Sequence, residues 1–143
     1  MKPKVHALML LTCLISAFLL LTFGCEKKMT DPKGTLEKQA LQYWTERLIN
    51  KNFEYTYEEE VEEGLPPFST YKERITGVTR FPTSSVEIKD IEVEGDGGYV
   101  QLLVTCKVPG LPKEMPLPLG DRWIIKGNKW KHKLQEKLQE KKP

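Results

Sequence analysis

"DRWIIKGNKWKH", residues Asp121–His132, decides the fold. Gly127-Asn128 stands between two short alternating runs and reads as a two-residue hairpin turn, because both central positions of such a turn need positive φ. The pairing that follows sets Lys126 against Lys129, Ile125 against Trp130, Ile124 against Lys131 and Trp123 against His132. Side chains alternate across a strand, so Trp123, Ile125, Trp130 and His132 share one face. Arg122, Lys126, Lys129, Lys131 and Lys133 surround Ile124 on the other.

Upstream, the segment Pro109–Pro118 is studded with prolines and reads as a loop. Before it, Val100, Leu102, Val104, Cys106 and Val108 form the longest strict alternation in the chain, and "EGDGGY" supplies a glycine-rich reversal. Val86 and Ile88 alternate in one phase and Ile91 and Val93 in the other. All four can face one core only if an extra residue shifts the pleat, which predicts a bulge near Lys89-Asp90. Further back the period becomes helical. Leu36, Ala40, Tyr43, Trp44 and Leu48 make one stripe, with Thr35 as the expected cap. Phe53, Tyr57 and Val61 predict a second short helix closed by Gly64-Leu65-Pro66-Pro67, and Ser69 is the expected cap of a third that carries Tyr71 and Ile75.

Helices followed by a run of antiparallel strands predict an α+β domain, with N-terminal helices packed on one face of a curved antiparallel β-sheet. The Tyr43-Trp44 pair, the bulged strand leading into "EGDGGYVQLLVT" and the closing hairpin resemble the nuclear transport factor 2-like superfamily, a cystatin-like α+β cone, and particularly its small bacterial lipoprotein members. The resemblance spans residues 35–134. It implies a cone that often holds a pocket at its wide end, on a fold that hosts enzymes, ligand binders and dimerisation modules alike.

Residues 1–24 have a different character. Lys2 and Lys4 precede 17 uncharged residues, Ala7–Phe23, and small residues stand at its end, Thr22 and Gly24, which is the pattern of a secretory signal. An uncleaved anchor is the other reading, although the run is short of the roughly 20 residues a span needs. Gly24-Cys25 resembles the end of a bacterial lipoprotein signal, in which the cysteine receives diacylglycerol before cleavage. That resemblance implies lipid on Cys25 and a membrane location facing the periplasm or the exterior. Cleavage by an ordinary signal peptidase would instead leave a soluble secreted protein. Residues 25–34 then read as a polar tether, residues 35–134 as the domain and residues 135–143 as a charged tail, with Leu134 at its border and Leu138 four residues on.

Lys2 and Lys4 are two of the 22 basic residues, so a chain without its leader carries 20 cations against 20 acids. Such neutrality implies no nucleic-acid partner. Three cysteines, one in the leader and one at its end, exclude an internal disulfide framework, and Cys106 reads as a small buried hydrophobe. No metal set at ligand spacing, phosphate loop, nucleophile elbow or cofactor motif is present. Asp90 and Asp121 read as polar edge residues, Glu58–Glu63 as a solvated helix end, and the hairpin lysines as a solvent face. The pocket candidates are Tyr43, Trp44, Trp123, Trp130 and His132, suited to an apolar small molecule or another envelope protein. These readings favour a non-catalytic binding domain. The alternatives are a small isomerase- or hydrolase-like enzyme using the cone, and a dimerisation unit acting through the outer sheet face.

Overall fold

The structure is a computed structural model that describes residues 29–134, so the leader, Cys25 and the tail from residue 135 lie outside the described residues. Helix α1, Pro32–Thr45, begins earlier than the apolar stripe suggests. Asp31 is its cap: Oδ1 accepts from Gly34 N at 2.9 Å, and Pro32 occupies the first turn, where no N–H is needed. Thr35 therefore lies inside the helix. A π-helical turn, Glu46–Asn50, continues α1 until Lys51 ends it in the left-handed region at φ 56°. Arg47 and Leu48 are both buried on this widened turn.

Helix α2, Phe53–Glu58, is capped by Asn52 and stops before Val61. The chain instead extends, and Glu60 forms a one-residue parallel bridge to His132: His132 N donates to Glu59 O at 2.8 Å and Val61 N to His132 O at 2.9 Å. Helix α3, Phe68–Val78, follows Pro67, with no side chain capping it, so Ser69 is a helical residue and not the cap. Phe53, Tyr71 and Ile75 join the two helices in a small apolar cluster.

Four antiparallel strands run in the order β1, Thr83–Glu94; β2, Gly97–Cys106; β3, Met115–Lys126; and β4, Lys129–His132. The register shifts between Ile88 and Asp90, and this bulge lets Val86, Ile88, Ile91 and Val93 all pack toward the core. The hairpin pairs Trp123 with His132 and Lys126 with Lys129, as the Gly127-Asn128 turn requires. One correction concerns the proline segment: β3 starts at Met115 and takes up Pro116 and Pro118, opposite Thr105 and Leu103. Arg122 O accepts from Lys133 N, whereas Ile125 N donates back to Asp96 O across the other edge. Even-numbered residues of β3 thus turn their backbone groups away from β2, and prolines there remove no bond from the β2 ladder.

The core joins Leu36, Ala40 and Tyr43 of α1 to Ile91, Val100, Leu102, Val104, Trp123 and Trp130 of the sheet. Cys106 is buried and free. Gly98 lets α1 approach: a Cβ there would lie 2.5 Å from Leu36 Cδ2 and 3.1 Å from the Trp130 ring. On the outer face, Lys126 pairs with Glu63 at 2.7 Å and Lys131 Nζ donates to Glu58 O.

Gly98→Ala is expected to cost roughly 1–3 kcal/mol by overpacking this contact. Gly77→Ala, with nothing within 4 Å of the new methyl, should instead stabilise α3 by about 0.5–1 kcal/mol. Urea unfolding of the two variants checks the contrast.

Candidate functional site

The alternation that buries Trp123 and Trp130 carries Asp121 and His132 to the same inner face, each two residues away on its strand. The parallel bridge brings Glu60 beside His132. From α1 and its π turn come Tyr43 and Arg47, one helical turn apart, and from α3 comes Tyr71. All six are buried.

His132 is held between two carboxylates. Its Nδ1 lies 2.5 Å from Glu60 Oε2 and its Nε2 lies 2.6 Å from Asp121 Oδ1. The other oxygen of Asp121 accepts from two indoles, Trp44 Nε1 at 2.7 Å and Trp123 Nε1 at 2.8 Å. The other oxygen of Glu60 accepts from Tyr43 Oη at 2.5 Å and lies 3.0 Å from Tyr71 Oη. Arg47 Nη1 donates to Tyr43 Oη and stands 3.8 Å from Glu60. The Tyr43 ring stacks on the imidazole with centroids 4.6 Å apart.

Burial works against the imidazolium, but Asp121 and Glu60 outweigh it and raise the His132 pKa to about 9. Both ring nitrogens then carry hydrogen and both are donors. For Arg47, burial is again outweighed, here by Tyr43, Tyr71, Glu60 and Asp121, and the guanidinium stays charged. Burial, followed by Glu60, lifts Tyr71 to about 12; burial also raises Tyr43 well above a free phenol. Two cations, Arg47 and His132, face two carboxylates, Glu60 and Asp121. The cluster is neutral, and the carboxylates lie on opposite sides of the imidazole, not around a common centre. Among the described residues no group of three His, Cys, Asp or Glu side chains is placed to hold a metal.

A cavity of about 410 Å³ opens beside this cluster. Trp44, Leu48, Ile75, Val78, Leu119 and Leu134 form its apolar lining, and Arg47, Thr79, Asp121 and His132 its polar lining. Val78 and Leu119 are exposed. Of the aromatic pocket candidates, Trp44 and His132 border the cavity. Tyr43, Trp123 and Trp130 do not: each is packed shut in the core at 1% exposure or less, because α1 sits directly on the hairpin.

Two other expectations need correction. Asp121 is no edge residue, being 1% exposed, and Glu60 leaves its acidic run to be buried to the same degree. Arg47 was not anticipated at all. Each carried a signal: Arg47 continues the Leu36, Ala40, Tyr43 stripe, Glu60 follows Phe53 and Thr56 at helical spacing, and Asp121 shares the phase of Trp123. Asp90 stays exposed at the bulge, where Oδ1 accepts from Ile91 N.

No protein-family model matches the chain, and none of the curated proteins matches it. Solved structures do. A protein described as an NTF2-like transpeptidase from Campylobacter jejuni superposes with a TM-score of 0.52 at 14% identity, over 69% of this chain and 97% of that one. A SEC-C motif containing protein from Rhodopseudomonas palustris gives 0.50 at 14% identity, over 64% and 69%. A polyketide cyclase from Acidithiobacillus ferrooxidans gives 0.48 at 17%, over 73% and 88%. At such identities the likeness is one of fold: this is an α+β domain of nuclear transport factor 2-like architecture.

The raised His132 pKa gives stability a definite pH dependence. The folded state holds the proton more tightly than the unfolded chain, whose histidine titrates near 6.5. The contribution is therefore complete below about pH 6.5 and lost as pH rises through about 9. Urea unfolding should show a fall on the order of 3 kcal/mol across that window, and His132→Asn should flatten this part of the profile.

Proposed function

We propose that the chain is an envelope lipoprotein, anchored through lipid on Cys25 after loss of residues 1–24, whose domain binds a small apolar molecule, or an envelope protein, without transforming it. The observation that carries the reading is the pairing of a mostly apolar cavity with a polar cluster whose acid and base groups are committed to one another. A histidine with both nitrogens donating has no lone pair with which to take a substrate proton. Asp121 is engaged on both oxygens, so neither it nor His132 is a free base.

The rival reading is a small isomerase- or hydrolase-like enzyme. It draws on the convergence of Tyr43, Glu60, Asp121 and His132 beside the cavity, since acid and phenol pairs in apolar surroundings are common proton-transfer devices. That chemistry needs one of the close contacts to open during turnover, and each such opening leaves a charge buried without its partner.

Membrane attachment is supported by the leader and Gly24-Cys25 at its end. Met29 already packs against the core, so only Glu26, Lys27 and Lys28 separate Cys25 from the described domain. The four steps from Cys25 to Met29 reach at most about 14 Å. The domain would therefore ride close to the lipid surface.

Binding is tested by mass spectrometry of small molecules extracted from the native protein. Wild-type chain should release an apolar compound that Val78→Trp, which fills the mouth, releases at less than a tenth of the level. Turnover of any substrate that disappears in His132→Asn would reverse the choice in favour of the enzyme. For the anchor, Cys25→Ala should abolish palmitate labelling and shift the chain out of the membrane fraction; undiminished labelling refutes it.

A further inference from the structure

The cavity lies where the chain leaves the described domain. Val78 of α3 is 50% exposed and Leu119 of β3 is 38% exposed, and both share the lining with the partly buried Leu134. Leu134 also packs against the cluster of Phe53, Tyr71 and Ile75, and it is the last described residue. Its position is fixed from behind. His132 is bonded to two carboxylates, and Lys133 N donates to Arg122 O at 2.8 Å. Residues 135–143, QEKLQEKKP, therefore start at the cavity whatever path they take. Leu138 is their single aliphatic side chain. Four residues beyond Leu134, it stands about 6 Å away along a helix and at most about 14 Å away along an extended chain.

We propose that residues 135–143 are an intramolecular cover for this cavity, with Leu138 seated against Val78 and Leu119, and that a ligand enters by displacing it. This rests on the reading of the cavity as a ligand site and adds what governs entry. Tethering favours this occupant: a side chain held so near the cavity has an effective concentration on the order of millimolar, far above what a sparingly soluble apolar compound reaches in water. Two aliphatic side chains exposed to this degree gain from any apolar cover. Apart from Leu138 and Pro143 the segment is polar or charged, so one side chain is drawn inward while the rest stays in water. The cover is also displaceable. Burying one leucine gains about as much as is lost in ordering the few residues that lead to it, so open and closed forms lie close in free energy.

The test is quenching of tryptophan fluorescence in the full chain by 1-bromooctane, an uncharged probe carrying a heavy-atom quencher. Trp44 lines the cavity whereas Trp123 and Trp130 are packed shut, so the signal reports on the site. A chain ending at Leu134, and Leu138→Ser, which keeps every tail charge, should each bind the probe about fivefold more tightly than wild type, because a competing cover lowers apparent affinity in proportion to the open fraction. Val78→Cys combined with Leu138→Cys should form a disulfide on mild oxidation. Leu41→Cys, at a position exposed on α1 and absent from the lining, should not form one with Leu138→Cys. Equal probe affinity in the three chains, or crosslinking without preference for Val78→Cys, would overturn the cover and leave the cavity a ligand site. Affinity that changes with protein concentration would assign the cover to a second copy and equally overturn the tail. Failure of 1-bromooctane to quench any of the three chains would overturn both readings.

Discussion

A protonated imidazole between two carboxylates is the constraint on which the rest of this structure depends. Its three members come from distant places: Glu60 from the extended chain after α2, Asp121 from β3 and His132 from β4. Losing any one strands a buried charge, which typically costs about 3–5 kcal/mol. The cluster therefore acts on geometry as well as energy. Sliding β4 by one residue along β3 would put Lys131 or Lys133 in the place of His132 and lose the two opposed ring N–H groups that reach Glu60 and Asp121 at once. Register, the placement of the Glu60 segment and the seating of α1 through Tyr43 and Arg47 are fixed together.

Much of the scaffold was legible from local signals. Gly127-Asn128 dictates a turn, the turn dictates the register, and opposite phases of Val86/Ile88 and Ile91/Val93 dictate the bulge. These are short-range rules, and the structure follows them. Pro116 and Pro118 misled because proline is normally a reason to doubt a strand, and only the direction of the neighbouring backbone bonds reveals that their missing N–H groups face outward. The site was read worse than the fold. Alternation and helical spacing do mark Arg47, Glu60 and Asp121 as inward-facing, yet a charged residue in an apolar phase is tolerable only with a partner, and a partner on another element, 11 residues away for Asp121 and 72 for Glu60, is invisible to periodicity. Reading the three together, as charges in buried phase, would have found the cluster.

The cavity is a by-product of unequal element lengths. β4 has four residues against twelve in β3, so near Leu119 β3 is paired with β2 but, among the described residues, has no strand on its other side, and α3 roofs it only in part, leaving Val78 and Leu119 exposed. The committed acid and base groups lie at the border of that opening. Rigid polar groups beside an apolar space favour recognition, since orientation is set before any ligand arrives.

The alternate prolines of β3 also shape how copies of the molecule meet. Past the end of β4, the strand's outward edge runs through Pro116 and Pro118, which cannot donate, and an incoming chain would find a ladder stripped of alternate rungs. Among the described residues this flank has no paired strand, and its prolines work against intermolecular sheet growth. An edge that would ordinarily invite fibrils is blunted by its own sequence.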